Sequence, residues 1–228
     1  MTSFLCIGHR GARGHEPENT LRSIRRAFEL GAHGVEIDVW RAANQLVVIH
    51  DATLQRTTNG RGSLTRHSFA ELRALDAGKG EQIPTLREVF ETVDRRGLIN
   101  VELKGRGTAH AVCELIEEFV RERGWTYDQF IVSSFHRREL KQIIFPGIRI
   151  GILCVRPSPL YYLSARRLHA FSIHPSATST TPRFVEDAHR RGLKVLPYTV
   201  NSPAEIARMR ALGVDGIFTD FPDRVRPA

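Results

Sequence analysis

The chain contains few of the residues that build disulfide-bonded or cysteine–zinc folds. Among its 228 residues are three cysteines, two tryptophans and two methionines. Cys6, Cys113 and Cys154 are odd in number, lie far apart and form no CxxC pair, so the sequence predicts neither a disulfide framework nor a cysteine zinc site. No apolar run approaches the ~20 residues that span a bilayer, so we expect no stable membrane insertion.

The amino terminus also lacks the pattern of a secretory signal, which combines a basic start, a longer apolar stretch and a small-residue cleavage site. A short apolar run at residues 3–7 ends at once in the glycine- and charge-rich residues 8–11. We interpret this run as a first strand, with no room for a signal ahead of it. The expected location is therefore cytoplasmic.

The formal charge of +8 at pH 7 comes mostly from arginine, because only four of the 33 basic residues are lysine. The arginines are scattered over candidate helices rather than gathered with aromatic residues. That pattern is typical of solvated helix faces and not of a nucleic-acid site. We therefore expect no nucleic-acid partner, while the composition leaves the oligomeric state open.

Short apolar runs alternate with amphipathic helical stretches along most of the chain. Eight such strands with intervening helices predict an α/β fold, a TIM-type (β/α)8 barrel. An open doubly wound sheet is the alternative, but the glycine-rich phosphate loop that usually follows its first strand is absent. The predicted strands are residues 4–8, 34–40, 98–103, 129–133, 148–153, 169–173, 194–199 and 214–218. The predicted helices are residues 19–30, 85–96, 108–123, 136–144, 159–167, 182–191 and 203–212.

One segment interrupts this alternation. Residues 46–84 contain a short strand at 46–49, a turn at 58–62 and a short helix, which indicates a small insertion after the second strand. No proline- or serine-rich linker divides the chain. We therefore predict a single barrel domain over residues 1–228.

Acidic residues stand where a parallel strand is normally apolar on both faces. Glu36 and Asp38 lie two residues apart in one predicted strand, so their side chains share a face with Cα atoms roughly 6.6 Å apart. Glu102 ends the next main strand, and the carboxyl ends of barrel strands face one mouth. The three carboxylates are expected to converge there on one hard divalent cation, Mg²⁺ or Ca²⁺. Pairing with arginine at the rim is the alternative.

Two histidines directly follow apolar runs, His9 after the first strand and His50 after the strand of the insertion. A barrel would present both at the same mouth, where two imidazoles can share general acid and general base catalysis. Arg10 and Lys104 would supply positive charge for an anion. Carboxylates, histidines and basic side chains together indicate phosphoryl-group chemistry.

At this point the sequence resembles the glycerophosphodiester phosphodiesterase family. Each motif by itself is short, but the matching motifs follow one another in order from about residue 7 to residue 222. They are His9-Arg10-Gly11, Pro17-Glu18-Asn19-Thr20, Glu36-Ile37-Asp38, His50-Asp51, Arg56-Thr57-Thr58-Asn59-Gly60-Arg61-Gly62, Ile83-Pro84-Thr85-Leu86, Val101-Glu102-Leu103-Lys104, Tyr198-Thr199-Val200-Asn201 and Gly213-Val214-Asp215-Gly216-Ile217-Phe218-Thr219-Asp220.

The resemblance implies a barrel with a small insertion, of the compact, cytoplasmic bacterial type. It implies metal-dependent hydrolysis of a small-molecule glycerophosphodiester to an alcohol and sn-glycerol 3-phosphate by histidine acid–base catalysis. The implied site residues are the metal ligands Glu36, Asp38 and Glu102, the catalytic pair His9 and His50, and Arg10 and Lys104 on the phosphate.

Five further residues are candidates for the site. Three are expected to complete the pocket, and two have alternative roles. His174, Tyr198 and Phe135 end or follow predicted strands, and we expect them to contact the alcohol or glycerol, with core packing as the alternative for Phe135. Many family members have tryptophan where Tyr198 stands, which affects the pocket wall rather than the chemistry. Glu18 lies either next to the metal ligands or in the first helical turn. Asp220 either pairs with a basic residue at the rim or sits in a turn.

Three other functions are alternatives to this one. A lysophospholipase D-type phosphodiesterase would use the same metal and histidines but would need an apolar channel for an acyl chain. A catalytically silent anion-binding relative would be expected to have lost a histidine, and both are present. A nucleic-acid-binding protein would show affinity that falls steeply with salt. The sequence leaves open which histidine is the acid, and whether water attacks directly or the glycerol 2-hydroxyl first forms a cyclic phosphate.

Overall fold

The computed structural model describes residues 4–156 and 158–225. Strands and helices alternate through these residues. The strands are β1 (Leu5–His9), β2 (Gly34–Ala42), β3 (Gln45–Val48), β4 (Leu98–Leu103), β5 (Phe130–Ser134), β6 (Arg149–Cys154), β7 (Ser172–Pro175), β8 (Lys194–Val195) and β9 (Gly216–Thr219). The α-helices are α1 (Leu21–Glu29), α2 (Phe69–Arg73), α3 (Leu86–Val93), α4 (Ala109–Glu122), α5 (Arg137–Leu140), α6 (Pro159–Arg167), α7 (Pro182–His189) and α8 (Pro203–Ala211).

Eight of the strands form one parallel sheet in the order β8-β7-β6-β5-β4-β2-β1-β9, and β3 adds antiparallel to β2. The two ends of this sheet meet, because backbone N–H groups of Asp215 and Phe218 donate to the carbonyls of Val195 and Pro197 at 3.0 and 2.9 Å. These bonds bring the sheet around into a barrel, and the predicted TIM-type (β/α)8 fold is confirmed.

The alternation of side chains along each strand separates the outer core from the barrel interior. In β2, Val35, Ile37 and Val39 are fully buried beneath the surrounding helices, which pack on the outside of the barrel. The intervening residues Glu36 and Asp38 point the opposite way, since successive side chains alternate between faces. The strand therefore combines an apolar outer face with two acids inside the barrel.

All eight predicted barrel strands and all seven predicted helices outside the insertion are present, with shifted ends. The prediction for residues 136–144 is wrong in length, because α5 ends at Leu140. Beyond it, the N–H groups of Gln142 and Ile143 donate to carbonyls three residues back, as in turns, and not four residues back, as in an α-helix. The predicted strand 194–199 is regular only at Lys194–Val195. Pro197 lacks an N–H group and cannot continue the ladder, and pairing resumes as an isolated bridge at Tyr198.

The predicted insertion contains β3, α2 and a small apolar core of its own. Val47, Ile49, Leu54, Leu64 and Leu72 are buried in this core. Packing of the insertion fixes the segment that follows β3, and this segment carries His50 to the carboxyl ends of the barrel strands. No helix within residues 4–156 and 158–225 has both the length and the apolar character to cross a bilayer.

Candidate active site

Three acidic side chains converge at the carboxyl ends of the adjacent strands β2 and β4. The two strands are in register, with Asp38 opposite Glu102. Glu36, Asp38 and Glu102 are all buried, and each offers a carboxylate oxygen within 4.8 Å of the others. This cluster could hold a metal ion.

The electrostatics of the cluster are those of a site for a cation. Burial raises the pKa of Glu36 well above its ordinary value, and the charges of Asp38 and Glu102 add to this effect. Burial and Asp38 also raise the pKa of Glu102 to about 7. Glu36 Oε1 is buried without a hydrogen-bond partner among the described residues. Three crowded carboxylates and an unsatisfied oxygen fit a divalent cation, which would neutralise the charge and accept that oxygen as a ligand.

Two basic side chains and an amide support the same carboxylates. Lys104 Nζ lies 2.9 Å from Glu102 Oε1 and 3.6 Å from Asp38 Oδ1, and Arg10 Nε lies 3.2 Å from Asp38 Oδ2. Burial alone would lower the pKa of Lys104, but Glu102 and Asp38 raise it overall, so the ammonium stays charged. Asn19 Nδ2 donates to Asp38 Oδ2 at 2.9 Å. The sequence did not predict this hydrogen bond, although Asn19 lies within the family motif at residues 17–20.

His9 stands at the end of β1, and its two ring nitrogens face different acidic groups. Its Nδ1 lies 2.7 Å from Asp220 Oδ1, and its Nε2 lies 4.0 Å from Glu36 Oε2. Asp220 also accepts from Asn201 Nδ2 at 2.8 Å. Burial opposes ionisation of Asp220, yet the hydrogen bonds from His9 and Asn201 lower its pKa overall. The ionised Asp220 thus orients His9 so that Nε2 faces the acid cluster. The sequence indicated that Asp220 either pairs with a basic residue or sits in a turn, but not that its partner is His9.

His50 is held in a similar way on the opposite side. Its Nδ1 lies 2.6 Å from Asp51 Oδ1, while its Nε2 lies 3.1 Å from Lys104 Nζ. Burial lowers the pKa of His50, which favours the neutral ring. Asp51 in turn accepts from Arg56 Nε at 2.5 Å, and this bond lowers the pKa of Asp51 to about 2. Asp51 and Arg56 lie within motifs shared with the family, but the sequence did not predict that Asp51 would bond to His50 or that Arg56 would bond to Asp51.

Glu18 joins two of these basic groups. Its carboxylate accepts from Arg10 Nη1 at 2.7 Å and from Arg56 Nη1 and Nη2 at 2.9 and 2.8 Å. Although burial opposes the ionisation of half-buried Glu18, these arginines lower its pKa to about 2. Glu18 precedes α1, which begins at Leu21. The interpretation of Glu18 as an acid in the first helical turn is therefore wrong, and its contacts link it to Asp38 through Arg10.

These residues open onto a pocket of about 220 Å³. Its walls differ in character, and one wall is apolar. There the rings of Phe135 and Tyr198 meet edge to face, with centroids 5.9 Å apart. The charged part of the lining comprises His9, Arg10, Arg13, Glu36, His50, Glu102 and Lys104.

The structure corrects the expectation for His174. This side chain has no exposed surface and does not line the pocket. It lies inside the barrel, with Nε2 2.8 Å from Ser172 Oγ and its ring 5.0 Å from that of Phe218. Burial lowers the pKa of His174 to about 3, so the ring is neutral. The reason for the error is depth, because the sequence shows that a residue ends a strand but not how far below the mouth it lies.

Comparisons with known proteins agree on one family. The model of the glycerophosphoryl diester phosphodiesterase family matches residues 9–224. A glycerophosphodiester phosphodiesterase of Caldanaerobacter subterraneus subsp. tengcongensis is 38% identical, over 96% of this chain and 95% of that protein. Another from Bacillus altitudinis is also 38% identical, over 98% and 96%. The structure of an Oleispira antarctica phosphodiesterase, solved with the product sn-glycerol-3-phosphate, superimposes with a TM-score of 0.89 at 30% identity, covering 97% of this chain and 94% of that one.

Proposed function

This chain belongs to the glycerophosphoryl diester phosphodiesterase family and is a phosphodiester hydrolase, and from this membership we propose how its own residues hydrolyse a glycerophosphodiester to an alcohol and sn-glycerol 3-phosphate. The observation that carries the proposal is the meeting of three buried carboxylates with two histidine–aspartate pairs at one pocket. A phosphodiester needs charge stabilisation, a base for the nucleophile and an acid for the leaving alkoxide. The pocket has side chains suited to each task.

Glu36, Asp38 and Glu102 would hold one divalent cation, Mg²⁺ or Ca²⁺, since both prefer carboxylate oxygens. When bound, the cation supplies positive charge to the phosphoryl oxygens. Arg10 and Lys104 would add donors for the same oxygens. Lys104 suits this role because its pKa is raised and its ammonium already faces the pocket beside Glu102.

His9 and His50 would transfer the protons. Each ring has Nδ1 on an aspartate, which leaves Nε2 directed toward the acid cluster or Lys104. One imidazole would take the proton of the attacking hydroxyl, and the other would protonate the leaving alkoxide. Asp220 and Asp51 are positioning residues in this scheme, because they fix ring orientation without contacting the substrate.

Phe135 and Tyr198 would contact the substrate from the apolar wall of the pocket. Their edge-to-face rings offer a surface rather than hydrogen bonds to the alcohol, which suits variable headgroups.

The experiment is a panel of glycerophosphodiesters assayed with Mg²⁺ and with Ca²⁺, detecting glycerol 3-phosphate as the common product. We expect release from several headgroups, and dependence on the cation. A protein that binds glycerophosphodiesters without turnover under either cation would be a silent anion-binding relative instead.

A lysophospholipase D-type activity is the second candidate, because the apolar wall at Phe135 and Tyr198 could also accept an acyl chain. Glycerophosphocholine and a lysophospholipid offered side by side separate the two. Faster release from the lipid would make the second candidate the principal activity.

We also propose a cytoplasmic location. Its support is that Cys6, Cys113 and Cys154 are all free and buried, as expected of thiols in a reducing compartment. Cell fractionation of the native host tests it, and recovery with the periplasmic or extracellular fraction would contradict it.

A further inference from the structure

The net charge of the chain is concentrated in one stretch. Residues 130–185 contain eight lysines and arginines and one acidic residue, so this stretch carries +7 of the formal charge of +8. The acidic residue, Glu139, is buried, and its carboxylate accepts the backbone N–H groups of Gly107, Thr108 and Ala109. It therefore does little to offset the surrounding surface charge. The basic residues are Arg137, Arg138, Lys141, Arg149, Arg156, Arg166, Arg167 and Arg183.

The exposed large apolar side chains of the described residues lie in this same stretch. Their exposed fractions run from 39% for Phe135 to 76% for Ile144. Single exposed apolar residues are ordinary on protein surfaces, but exposed apolar side chains that lie beside exposed basic ones mark an interaction surface. The five side chains are Phe135, Ile144, Val155, Leu160 and Leu163.

Three of these side chains belong to segments that directly follow strands at the pocket end or begin the next helix, and we call them the apolar rim: Phe135, Val155 and Leu160. Phe135 directly follows β5 and lines the pocket, and Val155 directly follows β6. Leu160 lies in the first turn of α6, which begins four residues after Val155. Leu163 lies outside the rim, because it lines a separate cavity with residues that precede β7 and β8. Ile144 also lies outside the rim, on the return from α5 to the amino end of β6.

Arginines border the rim and tie its segments together. The guanidinium of Arg137 lies 5.8 Å from the ring centroid of Tyr161, and its Nη1 lies 3.2 Å from Ser164 Oγ, which joins the start of α5 to α6. Arg138 lies in α5 and Arg156 directly follows Val155, and both are exposed. Aliphatic side chains and guanidinium groups are thus presented together where the pocket opens.

We propose that the apolar rim and the arginines beside it dock this protein on an anionic lipid surface, with the pocket opening toward the headgroups. Basic residues attract anionic headgroups, and aliphatic side chains enter the boundary between headgroups and acyl chains. The rim is mostly aliphatic, which favours lipid over nucleic acid, because single-stranded nucleic acid is held by stacking on aromatic rings. The inference goes beyond the proposed function, since it concerns the surface on which the enzyme works and not the bond it cleaves.

Vesicle flotation tests the proposal with the full chain. Vesicles of phosphatidylcholine mixed with phosphatidylglycerol should bind the protein about tenfold or more tightly than vesicles of phosphatidylcholine alone. The double substitution Val155→Ser and Leu160→Ser should abolish most of this binding, as should Arg138→Gln with Arg156→Gln. Ile144→Ser with Leu163→Ser is the matched control, because it removes two exposed apolar side chains outside the rim, and its binding should equal that of the unaltered chain.

Two further readouts separate docking from folding and from catalysis. Circular dichroism should be unchanged in all variants, and hydrolysis of soluble glycerophosphocholine should be unchanged as well, since none of the substituted residues lines the pocket. Vesicle binding needs no turnover, so its failure is distinct from failure of the proposed activity. The proposal is overturned by absence of binding to the anionic vesicles, by equal loss in the Ile144 and Leu163 double variant, or by binding to single-stranded RNA but not to vesicles.

Discussion

His9 and Asp220 are 211 positions apart in the chain, and yet His9 Nδ1 lies 2.7 Å from Asp220 Oδ1. His9 ends β1, the first strand, and Asp220 directly follows β9, the last strand, which pairs with β1. Asn201 holds the second oxygen of Asp220. The contact leaves His9 Nε2 free to face the acid cluster, so closure of the barrel also completes the site.

Substitution of Asp220 tests this relationship. Asp220→Asn preserves the shape but removes the charge that selects the ring orientation of His9, so we expect kcat to fall roughly 10²-fold or more with little change in KM. The pH–rate profile should also change, which a purely structural role would not cause. Asp223→Asn is the matched control, because Asp223 pairs with His15 at 2.7 Å outside the pocket. Equal losses in both variants would remove Asp220 from the mechanism.

The two histidines are expected to be individually indispensable. His9→Ala and His50→Ala should each lower kcat by about 10²–10⁴-fold, which is the usual contribution of a positioned acid or base. His110→Ala, at an exposed position on α4, should retain full activity. Steady-state kinetics measure all three, and turnover near that of the unaltered enzyme in either pocket variant would remove that histidine from catalysis.

Metal affinity should depend on pH in a defined direction. The pKa of Glu102 is raised to about 7 by burial and by Asp38, so protons compete with a cation for this carboxylate as the pH falls below 7. Calorimetry should show affinity for Mg²⁺ or Ca²⁺ falling by about tenfold or more per pH unit below 7. Removal of the cation with EDTA should abolish activity, and re-addition should restore it. Full activity after exhaustive EDTA treatment would contradict the site.

Loss of Lys104 should weaken catalysis more than folding. Lys104→Ala removes the ammonium beside Glu102 and the pocket, and we expect kcat/KM to fall roughly 10²-fold with an unchanged circular dichroism spectrum. Lys194→Ala is the control, because Lys194 pairs with Asp215 at 2.8 Å away from the pocket and should keep its activity. A Lys104 variant as active as the control would mean that the phosphate is bound by other groups.

His174 makes the fold sensitive to acid. Its pKa falls from the ordinary 6.5 to about 3 through burial, so the unfolded chain binds a proton below pH 6.5 and the folded chain does not. Stability is therefore complete above pH 6.5 and falls as the pH drops toward 3, by roughly 2 kcal/mol at pH 5 from this residue. Urea unfolding of the unaltered chain and of His174→Gln should show a smaller loss between pH 7 and pH 5 in the variant. Identical pH dependence in both would refute the assignment.

Much of the architecture follows from local patterns. The alternation of apolar runs with capped helices predicts the barrel, because the spacing of apolar residues identifies each strand or helix and capping residues mark where the helices begin and end. Thr85 and Glu88, for example, form the capping box that starts α3. Glu36 and Asp38 lie two residues apart in a buried strand, so both side chains point to the same face of the sheet. Acids in such a strand need a function or a partner, and this made the cluster predictable.

What the sequence by itself determined is therefore the barrel, the family and the residues that carry charge at the ends of its strands. Only the tertiary structure decided which of those residues meet. It sends His174 below the pocket, pairs His9 with Asp220 and Asn201, and links Glu18 to Arg10 and Arg56. The physical reason is that contact depends on strand register, on depth along the barrel and on barrel closure. These are properties of chain segments far apart in sequence, and no local pattern encodes them.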